Sequence, residues 1–457
     1  MAATGVDVEQ PGMVAAGDGV GQPEMAASGY GHGDASFVQT CLNGLNALSG
    51  VGLLSVPFAL SEGGWVSLAL LAAVAGVCWY TGILLKRCMS VDPTVRTFAD
   101  IGDRAFGRRG RVIVAGFFHA ELFLIAIGFL IVDGDNLDKL FPGVHVSVGH
   151  VTLAGKKLFV VLVALAVTPT TWLRSLGLLA YVSATGVFAS VLIVLSVLWA
   201  AAVDGVGFSA PGATAVRPIT KLPTALGLFT FCLCGHAVFP TLYTSMKEKR
   251  RFPKMLAICF VLCTINYGSM AVLGYLMYGA SVQSQVTLNL PAGRVSSKIA
   301  IVTTIVSPLS KYALVVTPIA TAIEERILRR RGGAGGRSGA AVVMPIETAV
   351  EEGILRGGAA AGSGVATPIP RNLRGGFAVS VAVRTLLVLS TVVVALAVPY
   401  FGYLMALVGS LLSVGACVML PCVCYLRVFR PPARAAETVA IAAILVLSSV
   451  RACFTTS

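Results

Sequence analysis

Eleven long apolar runs dominate this chain, and they constrain its fold more than any other feature. They cover Ser36 to Leu60, Trp65 to Leu85, Val112 to Val132, Leu158 to Trp172, Leu176 to Val203, Leu222 to Tyr243, Met255 to Met277, Ile299 to Ile323, Phe377 to Val398, Phe401 to Leu426 and Ala435 to Val450. A crossing of the hydrocarbon core takes about 20 apolar residues as helix, whereas barrel strands are shorter and alternate. Backbone groups in lipid must be satisfied internally, so runs of this kind are read as transmembrane helices. The expected fold class is an all-α membrane protein with eleven transmembrane helices and no room for a large soluble enzyme domain. Charged residues make up only 12% of the 457, about half the roughly 25% of soluble domains, which agrees.

The net charge of +13 does not point to nucleic acid, because the basic residues sit in short loops between apolar runs. With the amino terminus in the cytosol, 24 Lys and Arg fall on cytosolic loops and eight on the opposite side. The positive-inside rule then fixes the amino terminus as cytosolic and the carboxyl terminus as outside the cytosol or in an organelle lumen. Residues 1–35 hold five acids and no Lys or Arg, lack the features of a cleavable signal peptide, and read as a disordered cytosolic tail. Residues 330–376, rich in Gly, Ala and Arg, read as a disordered cytosolic loop. The last run is short, with Arg451 near its end.

Two of the runs are interrupted in the same way. The first contains Asn46-Ala-Leu-Ser-Gly50-Val-Gly52-Leu-Leu-Ser-Val-Pro57, and the sixth contains Phe231-Cys-Leu-Cys-Gly235-His-Ala-Val-Phe-Pro240. Glycine near the centre followed by proline weakens the helical ladder at one level. Interrupted helices five runs apart are the sequence pointer to a five-plus-five inverted repeat, 36–203 and 222–426, with one extra helix in 435–457. Such breaks expose N–H groups at one half-helix and carbonyls at the other, which suits an amino acid zwitterion. The competing reading is that these glycines only let helices pack closely.

On the first reading, the substrate carboxylate meets N–H groups of Gly50, Val51, Gly52 and Leu53. Its ammonium meets Thr230, Phe231, Cys234 and the side chain of Ser49, with Gly235 and His236 completing the second break. Glu121 lies about ten residues into the third run and Lys311 about thirteen into the eighth, runs also related by the offset of five. Each would cost about 2.5 to 3.5 kcal/mol at mid-membrane if left facing lipid. A structural ion pair, separate contacts to freed backbone, and a role in proton coupling all fit.

The same segments resemble a known family. Leu42-Asn-Gly-Leu-Asn46, Gly50-Val-Gly-Leu-Leu-Ser-Val-Pro57, Glu62-Gly-Gly-Trp65, Asp133-Gly-Asp-Asn-Leu137, Gly235-His-Ala-Val-Phe-Pro240, Gln285-Val-Thr-Leu-Asn-Leu-Pro291 and Lys311-Tyr-Ala-Leu314 resemble parts of the vacuolar amino acid transporter branch of the amino acid/auxin permease family. The likeness runs from about Ser36 to Leu426 and implies proton-coupled movement of amino acids across vacuolar or similar membranes. Three features depart from it: the length of 330–376, Ser307 before a proline where the family favours Asn, and the short last helix.

The expected partners are therefore an amino acid, protons as coupling ion and the lipid bilayer, with neutral amino acids favoured and the oligomeric state open. No cofactor and no metal site are expected. The eleven cysteines lie mostly in apolar runs without paired C-x-x-C spacing, and Asp133-Gly-Asp135-Asn-Leu-Asp138 lacks the later Glu of a calcium loop. Neither HExxH, GxSxG nor GxxxxGK[ST] occurs, so an enzyme or ATP-driven pump has no support. No N-x-[ST] acceptor occurs, which favours an organelle over the cell surface. The alternative from another class is a transporter-like receptor that binds an amino acid and signals without moving it.

Overall fold

The computed structural model describes residues 33, 35–92, 94–148, 151–172, 179–210, 221–332, 371–398, 400–429 and 435–455. The helices are α1 (Phe37–Leu48), α2 (Val56–Gly63), α3 (Val66–Val91), α4 (Phe98–Leu140), α5 (Gly155–Trp172), α6 (Leu179–Ala202), α7 (Leu222–Cys232) and α8 (Phe239–Ser245). They continue with α9 (Phe252–Tyr278), α10 (Val295–Gly332), α11 (Arg371–Ala397), α12 (Phe401–Val428) and α13 (Ala435–Thr455). Among the described residues each apolar run falls mainly on helix, the first and sixth with an interruption. Among the described residues, seven helices are long and apolar enough to cross a membrane.

Two expectations need correction. The chain is not wholly helical: β1 (His145–Val148) and β2 (Val151–Ala154) form an antiparallel hairpin between α4 and α5, with His145 opposite Ala154. Its Val-Ser-Val and Val-Thr-Leu alternation is the period-two signal of strands. The loop read as 330–376 is narrower, because α10 runs on to Gly332 and α11 starts at Arg371. The remaining loop residues, 333–370, and nearly all of the tail read as 1–35 lie outside the described residues. The last helix runs from Ala435 to Thr455, within the range read for it.

Local chemistry sets the helix boundaries. Ser36 caps α1 and Thr97 caps α4, each in a reciprocal box with Gln39 or Asp100 that satisfies otherwise orphaned N–H groups. Within α4 the backbone turns at Gly107, whose φ of 64° is the left-handed region that glycine enters without penalty. This turn folds Phe98 to Phe106 back toward the long segment carrying Glu121.

The two interrupted runs, α1/α2 and α7/α8, occupy the centre and pack on one another, on α3 and α9, and through α7 on α12. Around them, α10 packs on α4, α5, α6 and α11. A buried ion pair reinforces that outer layer: Arg384 of α11 meets Glu324 of α10 at 3.0 Å and donates to the carbonyl of Thr171 in α5 at 2.7 Å. Ser380 donates to the same Glu324 oxygen at 2.8 Å. Removing either charge would strand the other in a low-dielectric interior, so the pair fixes how these three helices meet. Helix α13 is tied back by Glu437, which pairs with Arg87 of α3 and accepts from the Tyr425 hydroxyl at 3.1 Å.

Candidate functional site

The first break is a full interruption. Helix α1 stops at Leu48, Gly50 is extended, and Val51–Leu54 form a single 3-10 turn before Pro57 starts α2. Two side chains from other helices meet the freed backbone. The Tyr267 hydroxyl of α9 donates to the Leu48 carbonyl and accepts from the Gly50 N–H at 3.4 Å. Lys311 Nζ of α10 donates to the Ser49 carbonyl at 3.0 Å. An ammonium and a hydroxyl thus sit at the negative end of the α1 dipole, where a cation is favoured. The N–H groups of Val51 and Gly52 open the following turn and have no acceptor within it.

The second break runs from Leu233 to Val238. Helix α7 closes with Leu233 N–H on the Phe229 carbonyl at 3.1 Å, a tight turn joins Val238 N–H to the Gly235 carbonyl at 3.0 Å, and Pro240 opens α8. The two breaks touch. A Cβ added at Gly52 would lie 2.6 Å from Cys232 Sγ, and one at Gly235 would lie 2.8 Å from a Leu48 methyl. Both glycines are therefore places where backbone must approach closely. Gly50 differs, because a Cβ there would meet nothing within 4 Å.

Between the breaks lies a cavity of about 210 Å³. Of the residues singled out in the sequence, Ser49, Gly50, Val51, Gly52, Phe231, Cys234, Gly235, Glu121 and Lys311 line it. Three do not. Leu53 lies behind the 3-10 turn in a smaller void shared with α6. Thr230 is buried and returns its hydroxyl to the Leu226 carbonyl at 2.8 Å, the usual back-bond of a helical threonine. His236 faces α3, with Nε2 at 2.8 Å from Thr81 Oγ1 and 3.1 Å from the Cys78 carbonyl oxygen. These three are withdrawn from the cavity wall.

Glu121 and Lys311 share the cavity, as their depth predicts, yet they are not held as an ion pair. Glu121 Oε1 accepts from Ser413 of α12 at 2.5 Å and from the Cys234 thiol at 3.1 Å, whereas Lys311 is held by α1. Lys311 thus makes the contact to freed backbone, whereas the contacts of Glu121 are to side chains. Asn46 and Tyr267 were missed. Both line the cavity, and Asn46 Oδ1 is buried without a hydrogen-bond partner. Asn43 and Asn46 stand three residues apart on one face of α1, a polar pair in an apolar run that was legible in the sequence. The rest of the wall is large and apolar, including Phe118, Leu122, Ile125, Phe129, Leu314 and Val315.

Long apolar helices, two broken crossings and a mid-helix cavity with polar atoms at the breaks define a multi-pass membrane protein built around a small-molecule site. Residues 33–457 match the family model described as transmembrane amino acid transporter protein. The chain belongs to this family of amino acid transporters, a class of carriers and not of enzymes. It is 46% identical over 396 residues to the amino acid transporter AVT1J of Arabidopsis thaliana, covering 87% of this chain and 84% of the relative. It is 44% identical over 397 residues to AVT1I of the same plant, covering 87% of each. Among solved structures, MhsT in complex with L-phenylalanine aligns with a TM-score of 0.49 at 10% identity, over 91% of this chain and 96% of that one.

Proposed function

We propose that this chain is a secondary active carrier that moves neutral amino acids across an organelle membrane, the vacuolar membrane foremost, coupled to protons. In this reading it crosses the membrane eleven times as a five-plus-five inverted repeat plus α13, with its amino terminus in the cytosol. The observation that carries the proposal is the cavity at the two helix breaks, whose walls combine one carboxyl, one ammonium and a predominantly apolar surface. A zwitterion adds no net charge to such a site, and its side chain meets Phe118, Phe129 and Val315.

The substrate carboxylate is assigned to the N–H groups opening the turn at Val51 and Gly52, and the ammonium to Asn46 Oδ1, the buried acceptor without a partner. Carbonyls at the end of α7 near Phe231 complete the ammonium site. Glu121 is assigned the transported proton, because it borders the cavity and is held by uncharged donors that tolerate either protonation state. The test is uptake of a radiolabelled amino acid panel into proteoliposomes with and without an imposed pH gradient. Gradient-driven accumulation of neutral amino acids supports the reading. Binding without flux would instead mark a receptor, and flux indifferent to the gradient would remove the proton.

A further inference from the structure

We propose that Cys234 and Cys417 form an oxidation site in the cavity wall, at which a peroxide converts the two thiols to a disulfide. The sulfurs lie 2.7 Å apart although their residues are 183 positions apart in the chain, one in the second helix break and the other in α12. A disulfide bond of about 2.05 Å therefore lies a fraction of an ångström from the present separation. Neither cysteine is bonded. Cys234 lines the cavity and is partly exposed, whereas Cys417 is fully buried behind it.

This difference in exposure divides the roles. Cys234 meets the oxidant: its sulfur attacks hydrogen peroxide, an S–O bond forms as the O–O bond breaks, and the departing hydroxide takes the thiol proton to leave as water. The Cys417 sulfur then attacks the sulfenic sulfur of Cys234. An S–S bond forms, the S–O bond breaks, and the hydroxyl leaves as a second water with the Cys417 proton. Overall, two thiols and one peroxide give one disulfide and two waters. The other pocket-lining cysteine, Cys232, sits against Gly52 and is not part of this contact.

Two consequences follow for the cavity. The disulfide ties the break between α7 and α8 to α12 and so prevents any movement of one against the other. It also removes the thiol hydrogen that Cys234 donates to Glu121 Oε1 at 3.1 Å, leaving Ser413 as that oxygen's remaining donor among the described residues. The chemical step stands apart from the substrate reading; the loss of flux rests on it.

The test uses the full-length purified protein in liposomes. After hydrogen peroxide, free thiols are blocked with N-ethylmaleimide, the protein is digested without reductant, and peptides are weighed. We expect a linked Cys234 and Cys417 peptide, two hydrogens lighter than the sum of its parts, that dithiothreitol resolves. In Cys417→Ser the linked peptide should vanish and Cys234 should carry a sulfenic acid trapped by a cyclic 1,3-diketone. Amino acid uptake by the wild type should fall with the linked fraction, to the loss of most of its rate, and return with dithiothreitol.

Both cysteines recovered unlinked, at a peroxide dose that oxidises Cys234 in Cys417→Ser, would overturn the proposal. A linked peptide with unchanged uptake would overturn the consequence drawn for Glu121 and α12. A chain that forms the linked peptide but never carries amino acids overturns the carrier reading and upholds the thiol site.

Discussion

Lys311 Nζ reaches the Ser49 carbonyl at 3.0 Å, so the ammonium of one long helix serves as the cap of another helix that stops at Leu48. The contact explains how a lysine resides in an apolar helix between Pro308 and Pro318. Its charge is met by the negative end of α1 instead of by Glu121. It also means that the break in α1 is maintained from outside, by α9 through Tyr267 and by α10 through Lys311.

Lys311→Met should therefore act first on stability. The substitution keeps an unbranched apolar stem one atom shorter and leaves a buried carbonyl without its donor, at a cost of about 1 to 3 kcal/mol. Thermal unfolding of the purified protein in detergent should show a lower midpoint, and uptake should fall because the end of α1 is no longer fixed. An unchanged midpoint would show that the carbonyl finds another donor and that Lys311 does not hold the break.

The glycines of the first break separate ligand space from packing space. Gly50 has an extended backbone at φ −119° and ψ −173°, open to any residue, and a Cβ there meets nothing within 4 Å. Gly50→Leu should leave folding intact and abolish uptake by filling the cavity. Gly52→Ala should instead lower the unfolding midpoint, because its methyl would press on Cys232 Sγ at 2.6 Å, with overpacking costing about 1 to 3 kcal/mol. Unfolding midpoints and uptake measured on both variants decide the assignment: full transport by Gly50→Leu would rule it out as ligand space.

What the sequence showed, and what it concealed, follows from the range of each signal. Gly50, Pro57, Gly235 and Pro240 announced the breaks because interrupting a helix needs specific backbone chemistry at fixed local spacing. Glu121 and Lys311 announced the cavity because lipid excludes unpaired charge. Tyr267 gave no sign, since its role depends on α9 lying beside the end of α1, a relationship between residues more than 200 positions apart. Thr230 misled because a hydroxyl in an apolar run looks available until its own helix accepts it. The hairpin at Val146 and Val151 was passed over because its alternation spans only four residues on each strand.

Topology offers an independent check on the charge distribution. With 24 basic residues on one set of loops and eight on the other, an epitope inserted near Gly335 should be cleaved by protease added to sealed organelles, and one near Gly293 should be protected. Both sites flank α10, so a single crossing separates them. Reversed accessibility would place the amino terminus in the lumen, and equal accessibility would remove α10 as a crossing.

The role assigned to Glu121 can be tested without disturbing the cavity's shape. Its Oε1 accepts from Ser413 and from Cys234, and neither donor carries a charge, so gain or loss of a proton is not opposed by a bound cation. Glu121→Gln keeps the size and the acceptor oxygen but cannot titrate. If this carboxyl carries the coupled proton, the variant should lose uphill accumulation driven by a pH gradient and retain exchange of labelled for unlabelled amino acid, which needs the substrate site alone. Ser413→Ala removes one donor and leaves titration possible, so it should shift the pH dependence of uptake while preserving a response to the gradient. The two variants together distinguish a proton carrier from a packing contact: accumulation by Glu121→Gln that still follows the gradient would return the carboxyl to a structural role, held by α12 and the second break.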